Sequence, residues 1–511
     1  MVVRGATRSY GELRETAGRW ANAILGAARR QPQRIGLFAY RSEVSYTGTL
    51  AALFAGAAFV PLNPTFPADK TRAMIAQAGL DAIIVDKTCA PQVSNVLEGV
   101  SIPMLLTPEL SSPEFASVSC PVIDADALRG TAVAGKLPAL TADDVAYLLF
   151  TSGSTGAPKG VPVTHGNAVH FMEVMSQRYG IVANDRFSQT FDQTFDLSVF
   201  DLFMAWSNGA CVYSLSTIEL LAPTKFINRN ELTVWFSVPS LPAQMIRRNT
   251  LTPGSMPSLR WSLFCGEPLP VRTAQLWQEA APNSVVENQY GPTELTIACF
   301  VHRWDPESSP ALCQNDVVPI GRPYAGLAAM LVDENLQPVP AGEPGELCVT
   351  GAQTSPGYWR DPAKTAERFV DLPVSEYEKR RFYRTGDRVV RLESGEYVFL
   401  GRADYQIKVL GHRVELGEVE AALRQHPAVE HAVAVGWPLN QLSADAVVAF
   451  VSGNSLEESA LLERAKEVLP PYAVPQRLFM VENMPLNANG KVDRRALQER
   501  LGELVLEPAR R

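Results

Sequence analysis

The chain has 511 residues, 54 acidic against 46 basic side chains for a formal charge of −8, and 46% hydrophobic content. That length exceeds what one hydrophobic core supports, so two or more domains are expected, and the lack of any basic block excludes a nucleic-acid partner. Seven scattered cysteines without a Cys-x-x-Cys pair, an N-terminus without an apolar signal segment and no uninterrupted apolar 18-mer point to the reducing cytoplasm and away from a membrane.

In chain order, Ser9-Tyr-Gly-Glu12 reads as a capping box, opening a helix whose apolar stripe is Leu13, Ala17, Trp20 and Ile24. Buried-strand patterns follow at 35–40, 82–86, 145–150, 232–238 and 285–289, with helical stretches between several of them. Such alternation predicts an α/β class with layered, largely parallel sheets. The character changes near Gly401. Beyond it come a helix over 415–425 stopped by Pro427, strands at 431–437 and 446–451, a helix over 456–469 and a strand at 477–481. These make a small α+β domain, so the expected division is 1–402 and 403–511.

At the end of the third strand pattern stands Tyr147-Leu-Leu-Phe-Thr-Ser-Gly-Ser-Thr-Gly-Ala-Pro-Lys-Gly160. Glycines let backbone N–H groups approach an anion, the hydroxyls of Thr151, Ser152, Ser154 and Thr155 add donors, and Lys159 adds a point charge. With Gly153 and Gly156 this loop suits the phosphates of a nucleotide. It is not a Walker A sequence, because Gly-Lys-Ser/Thr is missing and Pro158 precedes the lysine.

Further motifs accompany the loop: Thr194-Phe-Asp-Leu-Ser-Val-Phe-Asp-Leu-Phe203, Asn288-Gln-Tyr-Gly-Pro-Thr-Glu294, Gly345-Glu-Leu with Gly357-Tyr-Trp359, Tyr383-Arg-Thr-Gly-Asp387, Gly401-Arg-Ala-Asp-Tyr405 and Asn487-Ala-Asn-Gly-Lys491. In this order, from about Ser9 to Arg494, the chain resembles adenylate-forming enzymes, and among them the amino-acid adenylation domains of nonribosomal peptide synthetases. The resemblance implies a large N-terminal core, a mobile C-terminal lid and two half-reactions. ATP and a carboxylate give an acyl-adenylate and pyrophosphate; the acyl group then passes to a phosphopantetheine thiol.

Roles follow residue by residue from the resemblance. Lys491 is the catalytic cation bridging carboxylate and α-phosphate, Glu294 the Mg2+ ligand, and Thr293 a neighbour of the α-phosphate. Asp387 accepts the ribose hydroxyls, and Arg402 lies beside it. Tyr290 packs on the adenine, Asn288 lies at its edge and Phe399 stacks nearby. Asp404 falls at the hinge. Of the two Phe-Asp pairs, 191–192 and 195–196, the second continues the family pattern, which gives Asp196 to the substrate's α-ammonium. The pocket positions are then Leu197, Phe200, Ser237, Leu263, Cys265, Gly266, Gln289, Ile297 and Ala298.

That lining carries no charge, so a small or medium neutral amino acid is expected, with proline, alanine, serine and cysteine open and a lean toward proline. Only residues 492–511 follow Lys491, and no carrier serine motif occurs, so the expected acceptor is a free-standing peptidyl carrier protein. Two other readings remain. An acyl-CoA ligase using free CoA shares the ATP motifs, but Asp196 argues against it. A non-catalytic binding homologue has no need of Lys491.

Overall fold

The first helix, Tyr10–Ala27, begins on the expected capping box: Ser9 Oγ accepts from the Glu12 N–H at 3.2 Å, and Glu12 Oε2 accepts from the Ser9 N–H at 2.7 Å. Its stripe of Leu13, Ala17, Trp20 and Ile24 is buried. These features come from a computed structural model that describes residues 1–151, 158–374, 378–402, 406–440, 443–453, 457–481, 484–485 and 494–506. The described chain forms two compact units, one of residues 1–64, 71–151 and 159–402, the other of residues from 406 onward together with 65–70.

The first unit contains three sheets. A seven-stranded sheet runs in the order Val122–Asp124, Leu105–Thr107, Ala82–Val85, Arg34–Phe38, Ala58–Leu62, Val145–Thr151, Lys159–Thr164. All its pairings are parallel except the last, an antiparallel pair with Thr151 opposite Lys159. A nine-stranded sheet has a parallel centre made of Cys211–Ser214, Arg186–Gln189, Val234–Ser237, Trp261–Phe264 and Val285–Tyr290. Such strands read as unbroken apolar runs because helices cover both faces. One face packs on Leu197–Ser207 in a core that includes Phe200, Phe236 and Leu263; the other packs Trp235 and Phe264 against Trp277.

The third sheet is antiparallel, ordered Leu327–Val332, Pro344–Gly351, Lys379–Arg391, Phe369–Pro373, with Tyr397–Arg402 also paired to Lys379–Arg391. The second unit holds its own five-stranded sheet: His412–Glu415, Gln406–Val409, Ser443–Gly453 and Val429–Asn440, with Leu478–Met480 beside Ser443–Gly453. Val419 and Leu423 of the helix Leu416–Arg424 and Leu461 of Glu458–Val468 complete its core with Val447 and Ala449. No helix among the described residues is long and apolar enough to cross a membrane.

Candidate active site

Thr151 and Lys159 face each other across the last antiparallel pair of the seven-stranded sheet, so the ends of the glycine-rich loop are fixed by backbone pairing. Residues Ser152, Gly153, Ser154, Thr155 and Gly156 lie outside the described residues. Lys159 is buried, with Nζ 3.2 Å from Glu294 Oε1 and 4.5 Å from the centre of the Tyr358 ring. The Tyr358 hydroxyl donates to Glu294 Oε1 at 2.8 Å and accepts from Lys159 Nζ at 3.3 Å. Glu294 is 0% exposed and follows Thr293 on a single helical turn, Thr293–Leu295. A buried carboxylate stays charged only when paired, and here one lysine and one phenol supply that pairing.

Asp387 sits on Lys379–Arg391 directly opposite Arg402, and the two side chains form an ion pair. The Tyr290 hydroxyl donates to the other carboxylate oxygen of Asp387. Burial, and then the Asp387 charge, push the Tyr290 phenol well above its usual range, so it remains a donor. Phe399 is half-buried two strand positions past Tyr397 and packs on the main core. Asn288 Nδ2 donates to the carbonyls of Val318 at 3.2 Å and Pro319 at 2.9 Å, on the sheet face opposite Gln289, while its Oδ1 is buried without a hydrogen-bond partner among the described residues.

A third group gathers around the start of Leu197–Ser207. Asp196 immediately precedes that helix and is 7% exposed. Asp192, the alternative in the sequence, turns back on its own loop and accepts from the Thr194 N–H at 2.9 Å. Leu197, Phe200, Leu263, Cys265, Ile297 and Ala298 all belong to one buried core. Gly266, at φ +93°, lies close enough that a Cβ there would stand 3.7 Å from Leu197 Cδ1 and 3.3 Å from Val238 Cγ1. Thr296 and Ile297 take left-handed backbone conformations, φ 59° and 70°, which cost of order 1–3 kcal/mol each in non-glycine residues.

Gln353 holds this turn. Its Nε2 donates to the carbonyls of Leu295 at 3.1 Å and Ala298 at 2.7 Å, with Thr296 O at 3.3 Å, and the Thr296 hydroxyl donates back to the Gln353 carbonyl at 2.7 Å.

Ser237 does not join the group. Its Oγ accepts from Trp235 Nε1 at 3.0 Å on the face that packs against Trp277. Phe236 points the other way, with its ring centre 5.1 Å from that of Phe200. Ser237 and Phe236 lie on different faces of the strand, since neighbours on a strand face opposite sides. Three side chains beyond the sequence-derived set take part in these clusters: Tyr358, which stands inside the Gly357-Tyr-Trp359 motif, Phe236, and Gln353, for which no sequence signal exists. Asp404 and Lys491 lie outside the described residues.

Residues 1–359 match the family model described as AMP-binding enzyme, and residues 418–491 match that of the AMP-binding enzyme C-terminal domain. The chain belongs to the AMP-binding enzyme family. It is an adenylate-forming ligase of the adenylation-domain type, 35% identical to an L-proline--[L-prolyl-carrier protein] ligase of Streptomyces coelicolor over 96% of this chain and 91% of that protein. It is also 36% identical to tyrocidine synthase 3 of Brevibacillus parabrevis, of which it spans 7% of the length while 98% of this chain aligns. Among solved structures, the Vibrio cholerae adenylation domain AlmE in complex with glycyl-adenosine-5'-phosphate superposes with a TM-score of 0.86 at 31% identity, covering 98% of this chain and 94% of that one.

Proposed function

We propose that this AMP-binding enzyme activates a small neutral amino acid with ATP and passes it to the phosphopantetheine thiol of a peptidyl carrier protein. The observation that carries the amino-acid reading is Asp196, a carboxylate 7% exposed just before Leu197–Ser207, beside the apolar core side chains Leu197 and Phe200. A site for an amine-free acid gains nothing from such a group, whereas an α-ammonium pairs with it. Phe200 and Phe236, whose rings touch, would bound the proposed site and favour a small side chain such as that of alanine, serine, cysteine or proline; the named substrate of the Streptomyces relative supports proline and the adenylate bound to AlmE supports a smaller residue. The carrier is supported by the named activity of the Streptomyces protein.

In the first half-reaction the amino-acid carboxylate attacks the α-phosphorus and pyrophosphate leaves, so anionic groups must be brought together in line. The loop from Thr151 to Lys159 holds the departing phosphates, Asp387 accepts the ribose hydroxyls with Arg402 beside it, and Tyr290, Phe399 and Asn288 surround the base. Lys491 supplies the cation between carboxylate and α-phosphate. A Mg2+ ion fits Glu294: the ion takes hard oxygen donors and is commonly bound through one or two carboxylates plus substrate phosphates. When bound it would neutralise phosphate charge. Thr293 would contact the α-phosphate. The core over 1–402 and the lid over 403–511 would then divide the two half-reactions, with Asp404 as hinge. Seven cysteines, none of them in a disulfide, support a cytoplasmic setting.

The test is ATP–pyrophosphate exchange across the standard amino acids, several β-amino acids and amine-free acids, followed by thioester formation with a carrier protein and with free CoA. Exchange with a neutral amino acid and transfer to the carrier is expected. Exchange driven only by amine-free acids, or transfer to CoA alone, would refute the reading.

A further inference from the structure

Behind the proposed amino-acid pocket lies a buried polar chain that the chemistry above leaves unused. Glu287 and Gln289 stand two apart on Val285–Tyr290, so both leave the same sheet face, the one from which Leu263 and Cys265 project on the neighbouring strand. Glu287 is fully buried. Arg178 grips it at two points, Nε to Oε2 at 2.9 Å and Nη2 to Oε1 at 2.6 Å, and Arg303 Nε reaches Oε1 at 3.0 Å. Facing two guanidinium groups, the carboxylate acts as an acceptor.

The Tyr179 hydroxyl directs its single proton to Glu287 Oε2, 2.9 Å away. Burial, and then the Glu287 charge, raise this phenol well above its usual range and keep that proton in place. The hydroxyl oxygen can only accept from any further partner, and Gln289 Nε2 donates to it at 2.6 Å. The orientation of the amide follows: Nε2 faces Tyr179, and Oε1 faces away. Oε1 is buried and has no hydrogen-bond partner among the described residues. The Tyr324 hydroxyl, in the same condition, belongs to a ring that packs on Phe171, itself in contact with Phe200.

Resting on the amino-acid-activating reading, we propose that Tyr179 is a positioning residue that locks Gln289 with Oε1 as the acceptor of the pocket. The substrate side chain it selects is small and carries a hydroxyl, the serine class. A seryl hydroxyl donates to Oε1; the methyl of alanine leaves that buried acceptor unpaired. Discrimination on such a basis arises because the unmatched polar group penalises the wrong substrate.

The experiment compares serine with alanine as substrates of the full chain by steady-state pyrophosphate exchange, in the wild type, Tyr179→Phe and Gln289→Leu. Wild-type kcat/KM should favour serine by roughly five- to a hundredfold, the range of one unpaired buried acceptor. In Gln289→Leu the ratio should fall to one or below. Tyr179→Phe keeps the ring that packs on Trp261 and Phe200, and should lower the ratio at least about threefold, the loss appearing as a raised KM for serine. Equal losses for both substrates in Tyr179→Phe would mark a merely structural residue and overturn the assignment. A wild type that prefers alanine would overturn it without any variant. No exchange with any amino acid would instead defeat the activation reading itself.

Discussion

Replacing Gln353 by leucine tests whether the turn carrying half of the site is imposed from outside it. The turn runs from Glu294 to Ala298, with Thr296 and Ile297 both at positive φ, and a β-branched side chain at 297 makes that conformation unfavourable. The Gln353 amide has two N–H donors. The contacts to Ala298 O at 2.7 Å and Leu295 O at 3.1 Å are the two strong bonds, and Thr296 O at 3.3 Å shares one of them. Gln353 and the residues around these carbonyls are fully buried, so each acceptor left unpaired costs about 1–3 kcal/mol, and the pair about 2–6 kcal/mol. Relaxation of the two strained residues would recover part of this loss by moving the turn. Urea unfolding of Gln353→Leu should show that loss, and KM should rise for both ATP and the amino acid, because Glu294 and Ile297 move together. A folded variant within about 0.5 kcal/mol of wild type and unchanged in both KM values would refute the clamp.

Asp196→Asn should reduce kcat/KM for the amino acid by about 3–5 kcal/mol, the loss expected when a buried charge pair loses one partner. Unchanged exchange would redirect the role to Asp192. Lys491→Ala should depress exchange severely while calorimetry still records ATP binding, and near-normal exchange would remove Lys491 from the chemistry. Asp201 is fully buried on Leu197–Ser207, and burial holds its carboxyl well above the usual range. The folded state then binds the extra proton, so this group lowers stability as pH rises above its unfolded value of about 3.9. Asp201→Asn should therefore be more stable than wild type at neutral pH, with the difference shrinking toward pH 4; a melt showing no pH-dependent difference would contradict this.

The parts of the fold that were legible in the sequence are those where one physical signal dominates. The capping box at Ser9 and Glu12 and the unbroken run Ala82–Val85 are local patterns, and both form as read. The antiparallel sheet of the first unit was not legible. Its longest strand, Lys379–Arg391, carries six basic residues and Gly386 at φ 74°, which reads as a loop until its neighbours on both sides supply pairing. The candidate site divides in the same way. Lys159, Glu294 and Asp387 announce themselves as charges in glycine-rich motifs. Gln353 cannot, because its work is to bond three carbonyls of a turn more than fifty residues upstream, and nothing local in Ala352-Gln-Thr354 marks it.

The direction in which Ser237 and Phe236 point has consequences for the proposed pocket. On Val234–Ser237 the side-chain period is two, so an assignment shifted by one residue moves to the opposite layer. Parity with the next strand settles the direction. Ser237 pairs with Phe264, which packs on Trp277, whereas Phe236 pairs with Leu263, which shares a core with Phe200. A phenyl ring rather than a seryl hydroxyl on the face toward Phe200 would remove a polar contact from the proposed pocket and narrow it, two changes that would act together on substrate choice. In the proposed pocket the polar contact would then come from Gln289, held from behind by Tyr179, and size selection from the two aromatic rings. Phe236→Ala should accordingly extend exchange to larger neutral amino acids, without altering the ATP KM, which depends on residues around Glu294 and Asp387. An unchanged amino-acid profile in a folded Phe236→Ala enzyme would mean that the pocket ends before this ring.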